Sequence, residues 1–189
     1  MSQLDFLQRR LSVPSRQLGA PAPAGEELEH LLGAALRVPD HGKLMSTRLL
    51  LIRGPARTKL GAALADIHAR IDPHTPAATL EKDRTRYDHA PLIVCVIARI
   101  DADHAKVPVQ EQILSAGCVA YNLLLGAQAL GYGAQWLTGW AAYDREVARL
   151  LGIAEDERVI GFVHIGTPLK PASEGPHAEL ANHFTELTL

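Results

Sequence analysis

The sequence predicts an α+β fold in which helices pack around a short sheet. Three observations carry that expectation. Helical and strand-like patterns interleave along the chain, but the strand-like segments are few and unevenly spaced. No G-x-G-x-x-G opens a helix after a strand, so a dinucleotide-binding Rossmann unit is not indicated. The length of 189 residues, with 47% hydrophobic and 21% charged, suits one domain over 1–189 with a substantial core.

Each element has its own reason. Gln3 to Arg10 reads as a short helix with Leu4 and Leu7 on one face, and the Pro- and Gly-rich SVPSRQLGAPAPAG follows as a connector. EELEHLLGAAL places Leu28, Leu31, Leu32, Ala35 and Leu36 at helical spacing, with Glu26 and Glu27 suited to the positive end of its dipole. RLLLIRG is a strand closed by Gly54-Pro55, and ARTKLGAALADIHAR is a helix ended by Asp72-Pro73. His74 to Ala90 is polar, a short helix on a mobile surface. PLIVCVIARI, apolar without interruption and rich in β-branched residues, is a central strand buried on both faces.

VQEQILSAGCVAYNLLLGAQAL is the longest helical pattern, and Gly131 is its C′ residue. It is apolar on most sides and carries small residues at Ser115, Ala116 and Gly117, which places it in the middle of the protein or at a close helix–helix contact. YGAQWLTG is a strand leading into a loop, YDREVARLLG a surface helix ending near Gly152, and RVIGFVHIG a strand stopping at Gly166-Thr167-Pro168. The tail after Lys170 is polar and irregular.

Composition excludes several function classes. The net charge of -2 gives no electrostatic footprint for nucleic acid or a membrane surface. The N-terminus lacks a long apolar h-region and no apolar run approaches ~18 residues, so the expectation is a cytoplasmic protein. Cys95 and Cys118 form no C-x-x-C pair and read as buried free thiols.

The densest charge lies in ALRVPDHGK, where Arg37, Asp40, His41 and Lys43 follow the second helix. Pro39 is expected to stop that helix, Asp40 to bond backbone two residues on, and Gly42 to permit a sharp bend. Three readings compete. One is a solvated helix end with cations near the last carbonyls. Another is a metal site, disfavoured because one His and one Asp stand without H-x-x-x-H or a second carboxylate. The third is an anion- or cofactor-binding loop, since arginine offers a fork of donors to phosphate. Arg9, Arg10 and Ser12 form a second group of phosphate-type donors, and GAQWLTG adds a ring, a hydroxyl and exposable backbone. Trp136 alone reads as core.

LDFLQRRLSVPSRQLG, RVPDHGK, SAGCVAYNLLLGAQALGYGAQWLTG and IGFVHIGTP, taken together, resemble the nitroreductase family, in particular its short bacterial NAD(P)H nitroreductase branch. The resemblance runs from Leu4 to Lys170. It implies a central, mostly antiparallel sheet flanked by helices and an obligate homodimer with FMN in the interface, contacted by both subunits. Matched position by position, Arg10, Leu11 and Ser12 would meet the flavin phosphate and ribityl region. Arg37 and His41 would reach the FMN held mainly by the other subunit, and Trp136, Leu137 and Thr138 would line the flavin ring. Gly126, Ala127, Gln128, Ala129, Leu130 and Gly131 match a stretch assigned in relatives to NAD(P)H.

The chain departs from the family pattern in places. Leu11 stands where relatives often have a second Arg, Ser46-Thr47 where they have Pro-Trp, and Gln110 where an aromatic is common. The tail PHAELANHFTELTL lacks the basic residue that larger relatives place on the phosphate. The implied chemistry is ping-pong hydride transfer from NADH or NADPH through FMN to a nitroaromatic, a quinone or a similar electron-poor acceptor. No side-chain nucleophile or acid/base pair is required, no catalytic residue and no metal ligand is named, and no G-x-S-x-G is found. The departures leave an alternative, a flavin-binding module that stores, senses or consumes FMN without nitroreductase turnover.

Overall fold

The structure, a computed structural model, describes residues 2–175 and 178–188. Pro176, His177 and Leu189 of the polar tail lie outside the described residues. Five strands form one antiparallel sheet: β1 Leu18–Gly19, β2 Thr47–Arg53, β3 Leu92–Arg99, β4 Gly133–Leu137 and β5 Glu157–Pro168. β3 lies between β2 and β5, while β1 and β4 both pair with β5. The helices are α1 Gln3–Gln8, α2 Gly25–Ala35, α3 Pro55–Ile71, α4 Ala77–Thr85, α5 Val109–Ala129 and α6 Arg145–Leu150.

β3 is apolar on both faces because both are covered. Leu92, Val94 and Val96 face a core shared with Leu28 and Leu31 of α2 and Val119 and Leu123 of α5. Ile93, Cys95 and Ile97 face a second core with Leu60 and Leu64 of α3, Tyr87 and Phe162. The strand's period of two thus serves two helical layers. Burial pushes the Cys95 thiol up to about 12, so that sulfur is an inert core group.

The termination of α5 follows the expectation closely. Gly131 takes φ +84 at C′ and donates to the Gln128 carbonyl (3.0 Å), and Tyr132 N–H donates to the Ala127 carbonyl (2.8 Å). This is a Schellman turn, which a side chain with Cβ resists at that φ. Close approach explains Gly126: a Cβ there would lie 2.4 Å from Leu31 Cδ1, so α2 seats against α5 where the side chain is absent.

Four expectations change. His74 to Ala90 is no loose surface: α4 packs on α3, Asp83 and Tyr87 are buried, and Asp83 lies 2.5 Å from His68 Nδ1. Cys118 is exposed rather than buried. α2 ends at Ala35, before Pro39 can act, and its cap turns at Leu36. Asp40 accepts from Met45 N–H at 2.8 Å, five residues on rather than two, although Gly42 does supply the bend at φ +72. Among the described residues no helix is long and apolar enough to cross a membrane.

Candidate functional site

The residues after α1 form the first part of the site. α1 stops at Gln8 with Arg9 as its C-cap, so Arg10 to Val13 leave the helix as irregular chain. Arg10 Nη1 donates to Ser12 Oγ at 3.2 Å. Both line a cavity of about 490 Å³, together with Leu7, Leu11, Ser173 and Gly175. That volume lies in the range of ligand sites. Its side-chain polar groups are a guanidinium, two hydroxyls and the Gln8 carboxamide, with no carboxylate, a set that can offer donors to an anion. Ser173 and Gly175 come from the tail, which sequence reasoning left without a role. Arg9 faces the other way, into a second cavity of about 320 Å³ with Val13, Leu124, Tyr132 and Pro168.

His41 and Arg37 form the second part, His41 at the N-terminal end of α5 and Arg37 beside Asn122 in its C-terminal half. His41 Nδ1 lies 2.6 Å from Glu111 Oε2 in the first turn of that helix. Ser115 donates its hydroxyl proton to the Pro39 carbonyl at 2.9 Å. Asn122 Nδ2 donates to the carbonyls of Ala35 (3.3 Å) and Arg37 (3.2 Å). Polar side chains on α5 therefore pin the segment from the end of α2 to His41. Arg37 itself is exposed, and no carboxylate among the described residues pairs with it.

The same helix holds the first part from its C-terminal end. Leu11 N–H donates to Gln128 Oε1 (3.2 Å), and Gln128 Nε2 donates to the Arg9 carbonyl (3.3 Å). Seventeen residues separate Glu111 from Gln128 on α5, about 25 Å at ~1.5 Å per residue. Within one chain the structure therefore does not bring the Arg10 and His41 groups together.

Trp136, Leu137 and Thr138 are half-buried at the end of β4. Trp136 Nε1 donates to the Ile160 carbonyl at 3.3 Å, and a Cβ on Gly161 would lie 2.0 Å from that nitrogen. Glycine at 161 is what lets the indole lie against β5. Beyond Thr138, Gly139 turns at φ +83 beside the Arg86 guanidinium. In the 126–131 stretch, Ala127 is buried, Gly126 faces Leu31 and the Gln128 carboxamide is engaged; Ala129, Leu130 and Gly131 are exposed. Tyr132 donates its hydroxyl to Glu27 at 2.8 Å, which raises the phenol above its ordinary value.

Sequence reasoning missed Glu111, Ser115, Asn122 and Gln128 as organisers of the site. Their signal is polar residues on a mostly apolar helix: Glu111, Ser115 and Asn122 share one side, and Gln128 stands apart from them in the last turn. Glu111 and Gln128 bracket a further feature. Between them Leu114 (60% exposed), Cys118, Tyr121 (40% exposed) and half-buried Leu125 form one open apolar stripe on α5.

Comparison with known proteins places this geometry. The family model described as "Nitroreductase family" matches residues 7–167, and the chain belongs to that family. A Haemophilus influenzae protein named "Putative NAD(P)H nitroreductase" is 37% identical over 172 residues, covering 91% of each chain. Among solved structures, a nitroreductase-like family protein from Bacillus cereus superposes with TM-score 0.81 at 21% identity, covering 99% of this chain and 96% of that one. A Bacteroides fragilis nitroreductase with bound FMN superposes with TM-score 0.74 at 20% identity over the whole of both chains.

Proposed function

We propose that this chain is an FMN-dependent oxidoreductase that uses NADH or NADPH to reduce nitroaromatic, quinone or similar electron-poor acceptors, and that it works as a homodimer with FMN shared between subunits. One observation carries the reading: α5 anchors His41 at its N-terminal end and the Arg10 segment near its C-terminal end, with an apolar stripe between them. The FMN phosphate fits the carboxylate-free lining around Arg10 and Ser12, and Trp136 to Thr138 offer backbone and an aromatic edge to the ring. Bound FMN supplies hydride acceptance from the reduced nicotinamide and its delivery to the second substrate. The protein's task is to bind, orient and exclude water. Among the six positions from Gly126 to Gly131, the exposed ones, Ala129 to Gly131, remain the candidates for nicotinamide contact.

The stripe supports the dimer and its register. Leu114, Cys118, Tyr121 and Leu125 are symmetric about the point between Val119 and Ala120, and so are Glu111 and Gln128. An isologous antiparallel contact centred there sets Leu114 against the partner copy's counterpart of Leu125. It also brings the His41 end of one chain to the Arg10 end of the other, which closes the gap of about 25 Å that a single chain leaves open.

The test is spectroscopic. Purified protein reconstituted with FMN should show flavin absorbance that bleaches anaerobically with NADH or NADPH and recovers on adding a nitroaromatic or quinone. A protein that binds no FMN refutes the reading. A yellow protein that neither nicotinamide bleaches instead supports a flavin-binding module without turnover, which the Leu11 and Ser46-Thr47 departures would explain. In a Cys118→Ser background, Leu114→Cys with Leu125→Cys should cross-link two chains on mild oxidation; chains that stay single refute the register.

A further inference from the structure

We propose that Gln128 is a positioning residue for cofactor phosphate: its carboxamide fixes the 9–13 segment so that Arg10 and Ser12 face the larger cavity. The inference rests on the FMN reading above. It gives Gln128 a role different from the nicotinamide contact that its place in the 126–131 stretch implies.

The segment is a wall between two cavities. Arg10 and Ser12 line the one of about 490 Å³, Arg9 and Val13 line the one of about 320 Å³, and Leu11 touches both. A slip of one residue along this segment would exchange Arg10 for Arg9 or Leu11 at the larger cavity. Such a wall holds its register only where its backbone is tied down. Val13 N–H donates to the Ala134 carbonyl (3.0 Å), and Ser15 N–H donates to Gln135 Oε1 (2.6 Å). Nearer the ligand side, the ties are Leu11 N–H to Gln128 Oε1 and Gln128 Nε2 to the Arg9 carbonyl.

These two bonds bracket Arg10, and they admit one orientation of the amide: its oxygen must meet the N–H and its NH₂ the carbonyl. The anchor is itself rigid. Gln128 lies in the last turn of α5, and its carbonyl accepts the Gly131 N–H of the Schellman turn. A helix end fixed by backbone geometry thus sets which arginine the segment presents. A long Arg that must hold one direction gains most from such pre-organisation, because less of its freedom is lost when the ligand arrives.

The test compares FMN with riboflavin, which has the same ring and ribityl chain and no phosphate. Affinities are measured by flavin fluorescence on full-length apo-protein at fixed salt. Gln128→Met keeps the side-chain length and removes both bonds. FMN affinity should fall about fivefold or more while riboflavin affinity changes less than about twofold. Adding Arg10→Ala to Gln128→Met should cost less than the two single effects combined, since both act on one contact. Equal weakening for the two flavins, an unchanged ratio, or full additivity would overturn the clamp. So would a raised KM for nicotinamide with the flavin ratio intact, the mark of a nicotinamide contact. Should Gln128→Met not fold, Gln128→Asn, whose amide is one methylene too short, must show the same fall in ratio. The underlying reading fails differently: wild-type protein would bind neither flavin, or would bind both equally.

Discussion

His164 gives the structure an acid limit that can be measured. It sits in the middle of β5 at 0% exposure, and among the described residues neither ring nitrogen has a protein partner. Its ring lies 5.6 Å from that of Tyr87, tilted by 36°. Burial, with smaller contributions from the charges of Arg86 and His89, lowers its pKa from 6.5 to about 4. The folded value lies below the unfolded one, so the core accepts the neutral ring and rejects the imidazolium. Above about pH 6.5 both states are neutral and nothing is lost. As pH falls from 6.5 towards 4, the unfolded chain takes up a proton that the folded chain refuses, and stability declines. A depression of about 2.5 units at ~1.4 kcal/mol each amounts to about 3 kcal/mol by pH 4.

His164→Leu removes the titration and both unpaired nitrogens at similar volume. Urea unfolding at half-unit pH steps from 7.5 to 4, at one protein concentration so that any self-association contributes equally, should show two things. At pH 7 the variant is at least as stable as wild type, and its advantage grows by about 3 kcal/mol towards pH 4. Glu157, held at about 2 chiefly by its hydrogen bonds from Arg48, loses stability on acidification in both proteins and cancels in the difference. Parallel curves for the two proteins would show that His164 is protonated, or paired, in the folded state, and the reasoning would be refuted.

Three further outcomes follow from the site and the packing. Arg10→Ala should weaken FMN roughly tenfold or more, and Arg9→Ala much less, because the two face different cavities; equal losses in fluorescence titration would show that the wrong arginine was assigned. In a mixed dimer with Arg10→Ala in one chain and His41→Ala in the other, about half the sites should keep wild-type FMN affinity, since one site carries both defects; two weakened sites, each with a single defect, would mean that His41 serves its own chain's flavin. Gly61→Ala should destabilise the fold by at least ~2 kcal/mol, because a Cβ there would lie 2.0 Å from the Arg84 carbonyl oxygen, a backbone atom that cannot swing aside; an unchanged Tm would count against the α3–α4 contact.

What the sequence made legible was what depends on near neighbours or on a whole face. β3 reads correctly because both its faces are apolar, and the end of α5 because a Schellman turn needs little beyond a glycine at C′. The segment 74–90 misleads because its anchors are long-range. Asp83 is buried since it meets His68 from α3 and accepts from Trp140 Nε1 at 3.3 Å, and no local pattern announces either partner. Cys118 misleads for a different reason. On a helix apolar nearly all round, periodicity cannot say which side meets the chain's own sheet and which is left open.

The candidate site divides along the same line. Arg10, Ser12, Arg37 and His41 are visible as residue types because their chemistry is rare and their spacing short. Their arrangement is not visible, because long-range bonds to α5 set it: Glu111 meets His41 near one end of the helix, Asn122 holds the Arg37 carbonyl further along, and Gln128 holds the Arg10 segment about 25 Å along the axis from Glu111. On the proposed reading, that distance calls for a second subunit. If His41 and Arg10 serve one cofactor, a single chain cannot supply both, and the face of α5 between them must be the one that the partner covers. The open stripe from Leu114 to Leu125 lies on that face. Dimerisation and cofactor binding should therefore be linked. A charge at Leu114, at the rim of the stripe, should weaken FMN binding and dimerisation together, although residue 114 need touch no part of the flavin. Sedimentation and flavin fluorescence on Leu114→Asp would read both. A variant that is monomeric yet binds FMN at wild-type affinity would sever that link.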